Sequence, residues 1–220
     1  MLNIVYKLSK IENKHLILIS MIITLLSSLP SLLCLLRKPT IRNFNISFFA
    51  VSMSFFIFSF HVHEKTIMLP FLPCLFSIFD LLEMLPSFSL IAIFSLFPLL
   101  KREDQVVTYI SSIIGYFLLS SMLSNNFLSS KRKEGLWNYF FKMMDFINVT
   151  LVIIYHVFEY NINPPSNFPY LYPLMNATLS FGNFVIFYLY ANYVMFYRKD
   201  NIDDELQEDM VITNEKIKID

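Results

Sequence analysis

The sequence predicts an all-α membrane protein, a polytopic bundle of about seven transmembrane helices. Three observations carry that reading. Hydrophobic residues make up 55% of the 220 and charged residues only 15%, against roughly 25% charged in a soluble domain. Mean hydropathy is +0.54. The charges are also clumped, which leaves apolar runs close to the ~20 residues that a helix needs to cross a ~30 Å hydrocarbon core. An aromatic content of 17% excludes intrinsic disorder.

The first predicted span, Leu16 to Leu36, carries no charge. It is longer than a signal-peptide apolar core and no small-residue cleavage site follows it. The basic connector Arg37-Lys38-Pro39-Thr40-Ile41-Arg42 leads to a second span, Phe44 to Phe60. The third, Thr66 to Phe79, is short and holds Pro70 and Pro73. Met84 to Leu100 and Val106 to Leu123 are the fourth and fifth. The sixth runs from about Tyr139 to Phe158, with Lys142 and Asp145 one turn apart near its start. The seventh runs from about Leu171 to Tyr197.

Lys and Arg concentrate on cytosolic connectors. Arg37, Lys38 and Arg42, then Lys131, Arg132, Lys133 and Lys142, then Arg198 and Lys199 fall on one side if there are seven spans. The connector Glu159 to Tyr170 has neither and falls opposite; Lys101 and Arg102 break the pattern, accompanied by Glu103 and Asp104. The N-terminus then lies outside the cytosol, a start expected of the C-terminal part of a longer protein. Residues 1–199 form the membrane region and 200–220 an acidic cytosolic tail. That tail holds eight acids against Lys216 and Lys218, so it carries −6 and the rest of the chain +6. Those lysines, third and fifth from the end, resemble a dilysine retrieval signal of the endoplasmic reticulum.

Several functions are excluded by what is missing. The three glycines, Gly115, Gly135 and Gly182, are far apart, so neither a phosphate-cradling loop nor a dinucleotide fingerprint is present. No basic patch with interleaved aromatics stands outside the apolar runs, so nucleic acid is not an expected partner. Cys34 and Cys74 sit in apolar runs and are expected to pack as reduced, small hydrophobes. The Asn-x-Ser/Thr triplets at Asn45, Asn148 and Asn176 lie within or beside spans, out of reach of a glycosylating enzyme.

His61-Val62-His63-Glu64-Lys65 is the one dense cluster of ionisable groups at a predicted membrane boundary, where such groups are costly and functional by default. A metal site is not expected, because no second histidine follows Glu64 at zincin spacing and His61 with His63 supplies too few ligands. Two readings remain. Glu64 and Lys65 cap helices at the interface, or His63 and Lys65 donate charge-assisted hydrogen bonds to an anion at the bilayer surface. The simplest account of Asp80 and Glu83 is a solvated turn. His15, His156 and Trp137 are expected to serve structure or the interface.

Ser54-Phe55-Phe56-Ile57-Phe58-Ser59-Phe60-His61-Val62-His63-Glu64-Lys65-Thr66-Ile67-Met68-Leu69-Pro70 resembles the signature of the dolichyl-phosphate-glucose glucosyltransferases of the endoplasmic reticulum. These are the α-1,3-glucosyltransferases that extend the lipid-linked oligosaccharide for N-glycosylation. Phe94-Ser95-Leu96-Phe97-Pro98-Leu99-Leu100-Lys101-Arg102-Glu103 and the Pro164-Pro165 connector resemble further family stretches. The resemblance runs from about Leu16 to Lys199. Ser-Phe-Phe-x-Phe-Ser-Phe and Pro-Leu-Leu-Lys-Arg look more like the enzyme adding the first glucose; His61 stands where that enzyme usually has Gln and is more typical of the second-glucose enzyme. The alternatives are that second enzyme and a non-catalytic polytopic carrier or scaffold.

The resemblance implies part of a GT-C-type fold in a multi-pass membrane protein of the endoplasmic reticulum. It implies glucose transfer from dolichyl phosphate glucose to a dolichyl-diphosphate-linked high-mannose oligosaccharide. No cofactor or metal is implied, since the leaving group is a lipid monophosphate. His63 matches the family histidine and is the expected phosphate contact, with Lys65 adding charge and Glu64 orienting one of them. The family's catalytic base is an acidic residue in a first lumenal loop that nothing here matches, so no catalytic residue is assigned to this chain and its activity alone is in doubt.

Overall fold

In a computed structural model, which describes residues 13–60, 62–78, 80–126 and 136–197, the chain is a helical bundle. Its helices are α1 (Asn13–Arg37), α2 (Ile41–Phe58), a 3-10 turn (Glu64–Ile67) running into α3 (Met68–Phe76), α4 (Leu85–Ser95), α5 (Phe97–Arg102), α6 (Val106–Asn126), α7 (Leu136–Asn161) and α8 (Leu171–Tyr197). Each predicted span coincides with a helical segment. Among the described residues, five segments are long and apolar enough to cross a membrane: Lys14–Arg37, Ile41–Phe58, Leu85–Arg102, Leu136–Asn161 and Leu171–Tyr197. Lys131-Arg132-Lys133, Arg198-Lys199, the acidic tail and His61 lie outside the described residues.

The burial pattern is that of a membrane protein. On α1, Thr24, Ser28 and Ser31 are buried, while Leu26 is 59% and Leu36 79% exposed. Small hydroxyl residues let helix backbones approach in a solvent as apolar as leucine. Ser27, Ser28 and Ser31 return their hydroxyls to carbonyls of their own helix, so burying them leaves no donor unpaired.

Ion pairs sort the elements by end. At one end, Arg42 at the start of α2 pairs with Asp80 after α3, 2.8 Å apart, and the Tyr190 hydroxyl of α8 donates to Glu83. At the other, Lys65 pairs with Glu103 at 2.9 Å and Lys101 with Glu159 at 2.9 Å. The third segment therefore runs from the Lys65 end to the Asp80 end. Nine α-helical residues rise only about 13 Å, and four 3-10 residues add about 8 Å at their longer rise of ~2 Å each. The steeper turn extends a segment that is short for a span. Asp80 and Glu83, expected as a solvated turn, are both held by partners in the bundle.

The fourth span is broken. Leu96 separates α4 from α5, because Pro98 has no N–H to give the Phe94 carbonyl four residues back. The Asn176 side-chain amide of α8 supplies a donor to that carbonyl at 2.8 Å. The other two asparagines of the triplets also bridge elements. Asn148 donates to Asn183 at 2.9 Å, and Asn45 donates to the Phe76 carbonyl at 3.4 Å. Inside an apolar bundle such amides find partners or cost free energy.

Aromatic rings fill the core. Phe88 of α4 meets Phe49 of α2 at 5.4 Å and Phe187 of α8 at 5.5 Å, both edge to face, and Phe56 meets Phe184 likewise at 5.1 Å. A second cluster joins Phe94, Phe97, Tyr109, Tyr155 and Tyr172 near the Lys101 end. Both cysteines are free and buried.

Candidate functional site

α2 ends at Ser59, whose extended backbone breaks the helix. His63 has extended backbone (φ −85°, ψ 151°) and caps the 3-10 turn. Thr66 fixes that cap by donating to the His63 carbonyl twice, from its hydroxyl at 2.6 Å and its amide at 3.0 Å. The backbone is thus spoken for, while the imidazole stays exposed.

His63 and Glu64 sit at the mouth of a cavity of about 230 Å³ at the Lys65 end of the bundle. Phe56 and Ile57 of α2, the α4–α5 break at Ser95 and Pro98, and Asn176 and Ser180 of α8 form its wall. The volume equals about eight waters at ~30 Å³ each, room for a phosphate or one sugar unit and not for an oligosaccharide. The Ser180 hydroxyl in its wall is buried and has no hydrogen-bond partner among the described residues. A buried hydroxyl without a partner forfeits on the order of 1–3 kcal/mol, so Ser180 offers that donor to whatever enters.

The three predicted site residues do not act as one group. His63 and Glu64 meet at the cavity, whereas Lys65 points to Glu103 and is not among the lining residues. Paired with Glu103, Lys65 makes no contact in the cavity. Among the described residues, no three of His, Cys, Asp and Glu gather in a group able to hold a metal.

Sequence reasoning missed Ser180, Asn176 and Pro98. A signal existed for the first two. They stand four residues apart inside an apolar run, on one helix face, and a polar stripe within a span faces protein or cavity in preference to lipid.

These features define a polytopic helical membrane protein with a small polar-mouthed cavity at one end of the bundle. The chain belongs to the ALG6, ALG8 glycosyltransferase family, whose model matches residues 4–190. It is 33% identical over 199 residues to the probable dolichyl pyrophosphate Man9GlcNAc2 alpha-1,3-glucosyltransferase of Drosophila melanogaster, covering 90% of this chain and 40% of that protein. It is 34% identical over 206 residues to the dolichyl pyrophosphate Man9GlcNAc2 alpha-1,3-glucosyltransferase of Saccharomyces cerevisiae, covering 81% and 37% respectively. The Arabidopsis thaliana relative bearing the probable form of that name is 30% identical, with coverage of 80% and 34%. The chain thus spans about two fifths of the length of these relatives.

Proposed function

We propose that this chain is the donor-phosphate-binding part of an α-1,3-glucosyltransferase that moves glucose from dolichyl phosphate glucose to a dolichyl-diphosphate-linked high-mannose oligosaccharide in the endoplasmic reticulum membrane. An acceptor hydroxyl oxygen attacks the anomeric carbon of glucose. The bond from that carbon to the phosphate oxygen breaks, and its electron pair leaves with the lipid phosphate. The hydroxyl proton passes to a carboxylate base, which the family resemblance places in a segment unmatched by this sequence.

The observation that carries the proposal is the pairing of an exposed His63 at the cavity mouth with an unpartnered Ser180 hydroxyl in its wall. Both can donate to a departing phosphate, where a preorganised donor counts most because charge is developing. Lys65, its charge offset by Glu103, stands outside the cavity, and Glu64 orients the imidazole. The His63 end faces the lumen and the Arg37-Lys38-Arg42 end the cytosol, as the positive-inside bias requires. The relatives' names specify Man9GlcNAc2, an acceptor without glucose, which supports addition of the first glucose.

The test is complementation in cells lacking the first glucosyltransferase. A longer protein joining this chain to an upstream segment with an acidic lumenal loop restores the glucosylated oligosaccharide; residues 1–220 alone do not. Full rescue by residues 1–220 alone would place the base in this chain and make Glu64 the prime suspect.

A further inference from the structure

Helix α5 is a wall with two faces. Pro98 borders the cavity at His63, while Phe97 and Lys101 border a second cavity of about 570 Å³, closed by Tyr109 of α6 and by His156, Glu159 and Tyr160 of α7. A charge-balanced network lines it. Lys101 Nζ lies 2.9 Å from Glu159 Oε1, the Tyr109 hydroxyl 2.8 Å from His156 Nε2, and His156 Nδ1 3.8 Å from Glu159 Oε2.

One lysine and one carboxylate leave the lining with little net charge, which disfavours a phosphate or an ammonium ligand. Hydrogen-bonding capacity nevertheless remains. Lys101 has three N–H donors and an ionised Glu159 about four acceptor sites, and their mutual contact uses one of each. A ligand that both donates and accepts without charge suits this lining, as a polyhydroxyl compound does. The rings of Phe97, Tyr109 and Tyr160 offer apolar faces for its C–H groups; Tyr160 is 91% exposed and makes no ring contact among the described residues. A Tyr ring that packs on no neighbouring ring is available to stack on the apolar face of a ligand.

We propose that this second cavity binds a neutral sugar residue of the acceptor oligosaccharide. The identity of the glycan rests on the function proposed above; the chemistry of the cavity does not. The two cavities open at the same end of the bundle and share a wall of six residues, about 9 Å of helix. A glycan anchored by one sugar in the second cavity therefore presents a neighbouring sugar to the mouth at His63. The larger volume, about nineteen waters at ~30 Å³ each, admits a sugar residue together with part of its neighbour.

The experiment is binding of free Man9GlcNAc2 oligosaccharide to the full chain in detergent micelles, by calorimetry and saturation-transfer NMR, with thermal unfolding run in parallel. Binding is expected, weakened ten-fold or more by Tyr160→Ala and by Glu159→Gln. Tyr160→Ala removes an exposed ring and leaves the unfolding temperature unchanged, so its effect reports the ligand and not the fold. Absence of glycan binding overturns the proposal. So does unchanged affinity in both variants, which would leave the Lys101–Glu159 network a clamp between α5 and α7, and so does displacement of the glycan by inorganic phosphate. No transfer reaction is read, so failure of the donor-phosphate assignment at His63 shows in activity assays and leaves this result intact.

Discussion

The Tyr116 hydroxyl donates to the Asp145 carboxylate at 2.9 Å, joining α6 to α7 within the bundle. Ser87 of α4 adds a longer contact to the same oxygen at 3.3 Å. Three segments thus converge on one carboxyl group, and Lys142, one turn away, is not part of the arrangement. An acidic group in a span is costly unless partnered, and Tyr116 is its nearest partner.

Removing that partner therefore has a predictable cost. Tyr116→Phe destabilises the chain by about 1–3 kcal/mol, the usual penalty for leaving one buried hydrogen-bonding group unmatched. Asp145→Asn, which still accepts from Tyr116, costs less. Thermal unfolding in detergent micelles separates the two, and equal losses would show that charge at Asp145 matters more than the hydrogen bond.

Asn176 bears on both the fold and the site. Asn176→Ala strips the Phe94 carbonyl of its side-chain donor at the α4–α5 break and lowers stability by about 1–3 kcal/mol. Asn176→Asp loses the donor and adds a charge, so it is the worse of the two. Pro98→Ala restores the N–H and makes the Asn176→Ala loss smaller. The double-variant unfolding cycle reads this coupling directly.

Topology is testable by a cysteine at Ser166, in the α7–α8 connector. The Lys101–Glu159 pair places that connector at the His63 end, so Ser166→Cys is labelled from the lumen in sealed microsomes together with Lys65→Cys. Labelling of the two from opposite sides would break the assignment of ends by ion pairs.

At the cavity itself, His63→Ala in a longer, active protein lowers glucosyl transfer by about two powers of ten, since one preorganised donor is worth on the order of 3 kcal/mol at a developing charge. Ser180→Ala lowers transfer too, and it does not destabilise, because its hydroxyl has no partner to lose. Protein abundance measured beside transfer checks this. If His63 serves only as a cap, the balance reverses, with about 1 kcal/mol of stability lost and nearly normal specific activity.

The spans were legible because length and apolarity alone decide whether a segment crosses a bilayer. The third was legible only as a short run with prolines; that a 3-10 lead lengthens it depends on backbone rise, which composition does not encode. Pro98 was visible in the sequence, but the break at Leu96 becomes affordable only through Asn176, 78 positions later. His63 and Glu64 could be singled out as ionisable groups at a boundary. Lys65 could not be separated from them, because its partner Glu103 lies across the bundle. His156 and Glu159 are three apart on one helix, an observable spacing, yet their meeting with Tyr109 and Lys101 required the packing of α5 and α6 on α7.

The packing of α8 has a consequence for biosynthesis. Phe184 and Phe187 of that helix complete the ring cluster begun by Phe56 and Phe88, its Tyr188 reaches the Ser27 carbonyl of α1, and its Asn176 covers Phe94. Spans emerge from a ribosome in order, so α1, α2 and α4 wait in the lipid, incompletely joined, until the seventh segment arrives. Any nascent chain stopped before Leu171 leaves a set of helices with exposed polar seams, a form that membrane quality control can recognise and remove. Translation of α8 thus completes these contacts, and pausing just ahead of it prolongs the vulnerable interval.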